Sequence, residues 1–328
     1  MRKYVGMFLG CLGLVLGFAG VCHADETLDF MRRGLTLEQQ GKYKDALLEY
    51  RKAIEADRLW SEPHRRIGLV FQTQGRLEEA ITEFRQAVRL DSHSALAHNN
   101  LGLALQKKGD LEPATEEFKT ALRINPRMAE ASYNLAFQLY QQNKVELAMK
   151  GLDETLKIDS KYAPAHHSMA VALGRLGKWS EAIKSAESAV QYDKSSATYL
   201  LFLAWSLYKD GSLTKAVEVA QLAETKDARR AETHFMVGFL ETAKHHLDGA
   251  VMAYERGLPV SNKLTLRRAI ADLRYDLLLD NQTPEANYVL GLLLKAQNEP
   301  KEARAAFQTY IDHASTGKWA EKAREEVK

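Results

Sequence analysis

Ten histidines in 328 residues are the first candidates for metal binding or proton transfer. Four of them, His64, His98, His166 and His234, occupy one equivalent position in a repeated spacing. Zinc ligands sit about 2 Å from the metal, so their nitrogens nearly touch, whereas packed helices lie with axes about 8–10 Å apart. These rings are therefore expected to fill space in a helical core rather than to hold a metal. His166-His167 and His245-His246 are adjacent in sequence, which turns each pair to different sides of a helix or places it in a turn. The carboxylate pairs Glu78-Glu79 and Glu116-Glu117 are expected on solvent-facing helix surfaces, where charge is ordinary. The chain has no G-x-x-x-x-G-K-S/T phosphate loop, no G-x-G-x-x-G, no H-E-x-x-H, no G-x-S-x-G and no C-x-x-C-H. The expectation is no enzyme, no metal and no cofactor.

Composition points to a folded chain: 45% of residues are hydrophobic, 27% are charged and only seven are proline. A formal charge of +2 without a Lys/Arg block predicts no nucleic-acid partner. The first 24 residues differ from the rest. Arg2 and Lys3 precede an apolar run from Val5 to Val21, and Ala24 ends a small-residue cleavage site before Asp25, the pattern of a signal peptide over residues 1–24. Cys11 and Cys22 both fall inside it, so a chain cut after Ala24 has no disulfide. An uncleaved anchor and lipidation at Cys22 are the less favoured readings. The apolar run is short and glycine-rich, and Val21 fits a lipoprotein signal poorly. Cleavage would leave basic and acidic residues equal in number.

A period of 34 residues organises everything that follows. Gly34, Gly68, Gly102, Ala136, Ala170, Ala204 and Gly238 keep that spacing, and twelve residues after each stands Ala46, Ala80, Ala114, Ala148, Ala182, Ala216 or Ala250. Four further on come Tyr50, Phe84, Phe118, Leu152, Ala186, Ala220 and Tyr254. Between the two small positions lie Gly41, Gly75, Gly109, Asn143, Gly177 and Gly211, so each unit reads helix, turn, helix. Glycine inside a helix costs about 1 kcal/mol relative to alanine. Close approach of two antiparallel helices, with a ring filling the adjoining gap, would offset that cost.

Leu101-Gly102, Leu105, Gly109, Ala114, Phe118, Ala121 and Pro126 resemble the tetratricopeptide repeat, whose pattern runs W-x2-L-G-x2-Y, then A-x3-F, then P. The resemblance covers seven contiguous units over residues 25–264. The family's tryptophan is replaced by Phe30, His64, His98, Ser132, His166, Leu200 and His234, and its closing proline stands only at Pro126. The register then fails over residues 265–283, where Leu266, Ala269, Ile270, Leu273 and Leu277 predict one extra helix. Leu290-Gly291, Leu294, Ala303 and Phe307 restore the pattern in a divergent eighth unit, 284–317. Residues 318–328, with Trp319, Ala320, Ala323 and Val327 along one side, are expected to form a capping helix.

The resemblance implies an all-α fold, a right-handed α-solenoid whose first helices line a concave face that receives a peptide or partner helix. The positions it turns inward are Arg65, Arg66 and Leu69; Asn99, Asn100 and Leu103; Tyr133, Asn134, Phe137 and Tyr140; His167; Leu201, Phe202, Trp205 and Tyr208; then Phe235 and Phe239. In similar repeats, asparagine at the position of Asn100 and Asn134 bonds the backbone of a bound peptide, and an amide offers both donor and acceptor for that role. Arg65 or Arg66 would then meet an acidic residue or a C-terminal carboxylate. Leu69 and Glu130 stand where a carboxylate clamp needs asparagine and lysine, so that clamp is not expected. The favoured reading is a non-catalytic scaffold, exported to a bacterial periplasm and binding a protein or peptide partner. Its setting would be envelope assembly, secretion or polysaccharide export, with a membrane-bound complex and self-association within its range. The alternatives are a carbohydrate-binding module, with rings stacking on sugars, and a regulatory subunit of an envelope enzyme.

Overall fold

The computed structural model describes residues 26–279 and 283–328. The expected signal segment 1–24, with both cysteines, lies outside the described residues. All regular structure among the described residues is helical, and the chain divides into two compact units at Ser160 and Lys161. The first unit holds α1 (26–39) with α2 (Tyr43–Ala56), α3 (Ser61–Thr73) with α4 (Leu77–Leu90), α5 (Ala95–Lys108) with α6 (Leu111–Ile124), and α7 (Ala129–Gln141) with α8 (Val145–Ile158). The second holds α9 (Ala163–Arg175) with α10 (Trp179–Tyr192), α11 (Ala197–Lys209) with α12 (Leu213–Lys226), and α13 (Ala231–Ala243) with α14 (Leu247–Gly257). It continues with α15 (Lys263–Leu279), the pair α16 (Pro284–Ala296) and α17 (Pro300–His313), and α18 (Lys318–Val327). Within each unit successive first helices touch one another, α3 with α5 and α5 with α7, then α9 with α11 and α11 with α13. In each unit taken by itself the first helices form one layer and the second helices the other.

Two local devices make each pair. The turn between its helices needs one left-handed residue, and Gly41, Gly75, Gly109, Asn143, Gly177, Gly211, His245 and Asn298 all have φ between 56° and 99°. His245 thus occupies the glycine position of the seventh turn, where a side chain costs roughly 1–2 kcal/mol. The link to the following pair is an Asx turn. Asp57 Oδ1 accepts from the Leu59 amide at 2.9 Å, and Asp91, Asn125, Asp193 and Asp227 repeat the contact with His93, Arg127, Ser195 and Arg229. A carboxylate or amide therefore turns the chain at each of these links, both at Pro126 and where the family's proline is missing.

Packing explains the small residues. A Cβ on Gly102 would lie 2.7 Å from Phe118 Cε1, and Gly34, Gly68, Gly238 and Gly291 meet Tyr50, Phe84, Tyr254 and Phe307 in the same way. These five rings are fully buried. Where the small residue is Ala136, Ala170 or Ala204, the partner sixteen residues later shrinks to Leu152, Ala186 or Ala220, all buried. A larger first residue thus goes with a smaller second one, which conserves volume across the contact.

The second unit departs from this order after α14, which ends at Gly257 and runs into a single 3-10 turn, Leu258–Val260. Asn262 then opens α15, accepting from the Leu264 and Thr265 amides at 2.9 and 3.0 Å. The helix starts two residues before the expected 265, because Asn262 supplies the cap. Its expected end at 283 falls beyond residues 280–282, which lie outside the described residues, and Thr283 instead stands at the N-cap position of α16. Buried Leu266, Ala269, Ile270 and Leu273 hold α15 against α13 and α16, so it joins the layer of first helices. At the chain end α18 buries Ala320 and Ala323, and Trp319 donates from Nε1 to Asp248 at 2.8 Å while its ring meets Tyr288 at 5.0 Å.

Two outcomes follow for chemical denaturation. Gly102→Leu loses about 1–3 kcal/mol by overpacking against Phe118; an unchanged midpoint would refute the packing role. His245→Gly gains about 1 kcal/mol by relieving the left-handed side chain; no gain would mean that His245 supplies something that the turn needs.

Candidate functional site

In the first unit the inner layer carries fewer open polar groups than expected. Arg65 and Arg66 both bind Glu62, Arg65 through Nε at 2.7 Å and Nη2 at 2.6 Å, and Arg66 through Nε at 2.9 Å. Burial pushes the Glu62 carboxyl up, but the two guanidinium groups together hold it below its usual range. The arginines expected to meet a ligand carboxylate therefore already share one carboxylate, that of Glu62, three and four residues earlier on the same helix, and the three groups together keep one positive charge. Asn99 is also corrected. It is 1% exposed, and its Oδ1 accepts from Asn134 Nδ2 at 2.9 Å. Asn134 is thus tied to the preceding repeat, while Asn100, 9% exposed, has its Nδ2 donor buried without an acceptor. Tyr133 and Phe137 stack at 6.0 Å, with Tyr140 half-buried one turn further along α7.

In the second unit the rings form a contiguous cluster. Trp205 lies 5.6 Å from Tyr208 and 6.0 Å from Phe239, Tyr208 meets Phe239 edge-on at 5.2 Å, and Lys209 Nζ stands 5.3 Å from the Trp205 ring. Tyr208 donates its hydroxyl to Asp276 Oδ1 at 2.9 Å, which pins α15 to α11. Phe235 is buried against Tyr254 rather than presented on the surface, and Gly257 makes the room for its ring. Phe202 packs edge-on against His167 at 5.5 Å. The inner face here is lined by α15 as well as by first helices. Glu232, Arg268 and Asp272 join Trp205, Phe235 and Phe239 around a cavity of about 250 Å³. The helical spacing of residues 265–283 signals the extra helix, and the structure sets it beside these rings.

The histidines are engaged in packing. His64 and His98 pair through Nδ1 with Glu83 at 2.7 Å and Glu117 at 2.6 Å, and His234 pairs with Glu224 at 2.5 Å. The second nitrogens of His98 and His234 face the carbonyls of Ser92 and Ala228. Glu117, expected to face solvent, is instead drawn in by His98. Among the described residues no group of three or more His, Cys, Asp or Glu side chains is placed to hold a metal.

His167 has no such partner: its Nδ1 is buried and unbonded, with Tyr199 4.8 Å away. Burial lowers its pKa from 6.5 to about 4. Below pH 6.5 the unfolded chain takes up a proton that the folded chain refuses, so stability falls as the pH drops from 6.5 towards 4. Urea unfolding at pH 7 and pH 4.5 should show the parent losing about 2–3 kcal/mol more than His167→Phe across that interval. Parallel losses would contradict the burial of an uncharged ring.

Models of the tetratricopeptide repeat match residues 30–58, 105–173 and 167–231, and a model described as TPR repeat matches 68–109. No curated protein matches the chain. Among solved structures, pilF of Pseudomonas aeruginosa is similar with a TM-score of 0.54 at 23% identity, covering 59% of this chain and 88% of that one. PilW, described as a widely conserved type IV pilus biogenesis factor, gives 0.56 at 19% identity, covering 61% and 92%. A dimer of human IFIT1 with PPP-AAAA gives 0.58 at 20% identity, covering 84% and 69%. These likenesses are of fold. The repeated small-residue contacts, the shared helix-turn-helix geometry and the family models lead to one conclusion: the chain belongs to the tetratricopeptide-repeat family.

Proposed function

We propose that this protein is a non-catalytic, exported interaction scaffold that holds a peptide or helix of a protein partner against its layer of first helices. The observation that carries the reading is Asn100. A buried amide donor without an acceptor costs about 1–3 kcal/mol, and an extended main chain laid along α5 would supply the missing carbonyl. The ring cluster of α11 and α13 supports the same reading, since tryptophan and tyrosine on one face are favoured at protein contacts. The balanced charge disfavours RNA, although the IFIT1 likeness shows a similar fold in a structure with PPP-AAAA. The signal-like first 24 residues support export, and the fold shared with pilF and PilW favours an envelope assembly or secretion setting.

The test is capture from envelope extract by the chain from Asp25 onward, beside Asn100→Ala with Asn134→Ala, and beside Trp205→Ala, each checked for native circular dichroism. The expected result is a partner held by the parent and reduced at least tenfold by one of the inner-face variants. Equal capture by all three proteins would place binding elsewhere and overturn the assignment of the face.

A further inference from the structure

One face of α15 is accounted for by packing and the opposite face is not. Leu266, Ala269, Ile270 and Leu273 are buried against α13 and α16, and Tyr208 pins the helix through Asp276. On the outer side Leu264, Tyr275 and Leu278 are 59%, 58% and 83% exposed. Among the described residues no other helix exposes more than one bulky apolar side chain, so this concentration is particular to the helix that interrupts the repeat. Exposed apolar residues gathered on one surface mark contact sites, whereas single ones are ordinary.

Their spacing narrows the class of partner. Leu264, Ala271 and Leu278 recur every seven residues, and Tyr275 lies one turn after Ala271. At 3.6 residues per turn these four cover roughly 60° of the helix circumference and run for about 21 Å. A stripe that narrow has the width of a seam between two helices, whereas a face that sinks into a core is about 100° wide or more.

The charges beside the seam set the sign of the partner. Arg267 and Arg274 repeat at the same interval of seven, and with Lys263 they line one edge without an acid of α15 among them. Arg274 is paired with Glu302 of α17, but the side chains of Lys263 and Arg267 make no ion pair or hydrogen bond among the described residues. Two shallow grooves follow this edge, one bounded by Arg267, Arg274 and Gln297 and the other by Lys263 and Gln297, and neither has an acid in its walls. The other edge is mixed: Arg268 is followed by the exposed Asp272, which an anionic bilayer would repel. Two copies of α15 packed antiparallel would bring their basic edges together, which disfavours a second copy of this chain.

We infer that the outer face of α15 is a docking seam for a helix of a protein partner, one with apolar residues at heptad spacing and acidic residues along the edge that meets Lys263 and Arg267. Because the opposite face of α15 belongs to the core of the second unit, the seam is fixed before anything binds, which limits the ordering cost. The seam does not include Asn100 or Trp205, so the inference goes beyond the inner-face reading and does not depend on it.

The probe is an amidated peptide with an N-terminal fluorescein and the sequence Glu-Leu-Ala-Ala-Leu-Glu-Gln repeated three times. One twin has lysine for every glutamate and another has alanine for every leucine. Fluorescence anisotropy with the chain from Asp25 onward should show the acidic peptide bound at least tenfold more tightly than either twin. Leu264→Gln with Leu278→Gln, at exposed positions that the fold does not need, should weaken binding at least fivefold. Lys263→Glu with Arg267→Glu should turn the preference towards the lysine twin. Equal binding of the acidic and lysine peptides, no binding of either, or an unchanged preference in the charge-reversed variant overturns the inference. Co-sedimentation with phosphatidylglycerol vesicles, or a dimer in sedimentation velocity, that disappears in Leu264→Gln with Leu278→Gln would also overturn it, by giving the face to a bilayer or to a second copy. Asn100→Ala with Asn134→Ala should bind the acidic peptide as tightly as the parent. Weaker binding there would move the peptide to the inner layer, refuting the seam and leaving the scaffold reading intact.

Discussion

The structure depends on one contact: a glycine or alanine in the first helix of each pair, pressed against the side chain sixteen residues later in the second. Five of these contacts place a ring where a Cβ would be 2.4–2.7 Å from it, closer than any real side chain allows. The glycine therefore costs helix propensity at one position and gains close packing along the whole pair. Because one contact recurs every 34 residues, it sets which face of each first helix is buried and which is left for the inner layer. A chain of identical contacts would give identical pairs. The exchange of ring for leucine or alanine in three units changes the side chains and keeps the spacing.

Interruption of that spacing produces the most individual part of the molecule. Beyond Gly257 the chain does not start another regular pair; a 3-10 turn and the Asn262 cap redirect it into α15. The helix brings carboxylates to a layer that is otherwise ringed by aromatic side chains, and Tyr208 fastens it through Asp276. A departure from the repeat, rather than the repeat itself, thus creates the enclosed apolar site. The regular pairs do a different job: in the first unit, polar residues such as Glu62 and Asn99 are absorbed into contacts within the layer, and Asn100 keeps a buried amide donor that has no acceptor among the described residues.

Much of this was legible in the sequence, because repetition amplifies weak signals. Gly102 alone says little, but seven small residues at one spacing define the helix pair, the turn and the buried ring. The shared position of His64, His98, His166 and His234 in the repeat marks them as core fillers for the same reason. What could not be read were the contacts that depend on a rotamer or on a neighbour three or four residues away. Arg65 and Arg66 look available until Glu62 is seen between them, and Glu117 looks exposed until His98 draws it in. The amide of Asn134 is another such case, since it reaches Asn99 in the preceding repeat. Placement of α15 was beyond the pattern as well, since amphipathic spacing tells that a helix buries one face and not which layer receives it.

A double-mutant cycle at Gly102 and Phe118 tests the governing contact most directly. Gly102→Ala alone should destabilise by overpacking and Phe118→Leu alone by leaving a cavity. The two together recreate the alanine-leucine pairing found at Ala136 and Leu152. The predicted result is a double variant more stable than the sum of the single losses, with a coupling of about 1 kcal/mol or more in urea unfolding. Losses that add to within about 0.5 kcal/mol would show that the two residues do not share one volume, and would contradict the account of how the repeat is held together.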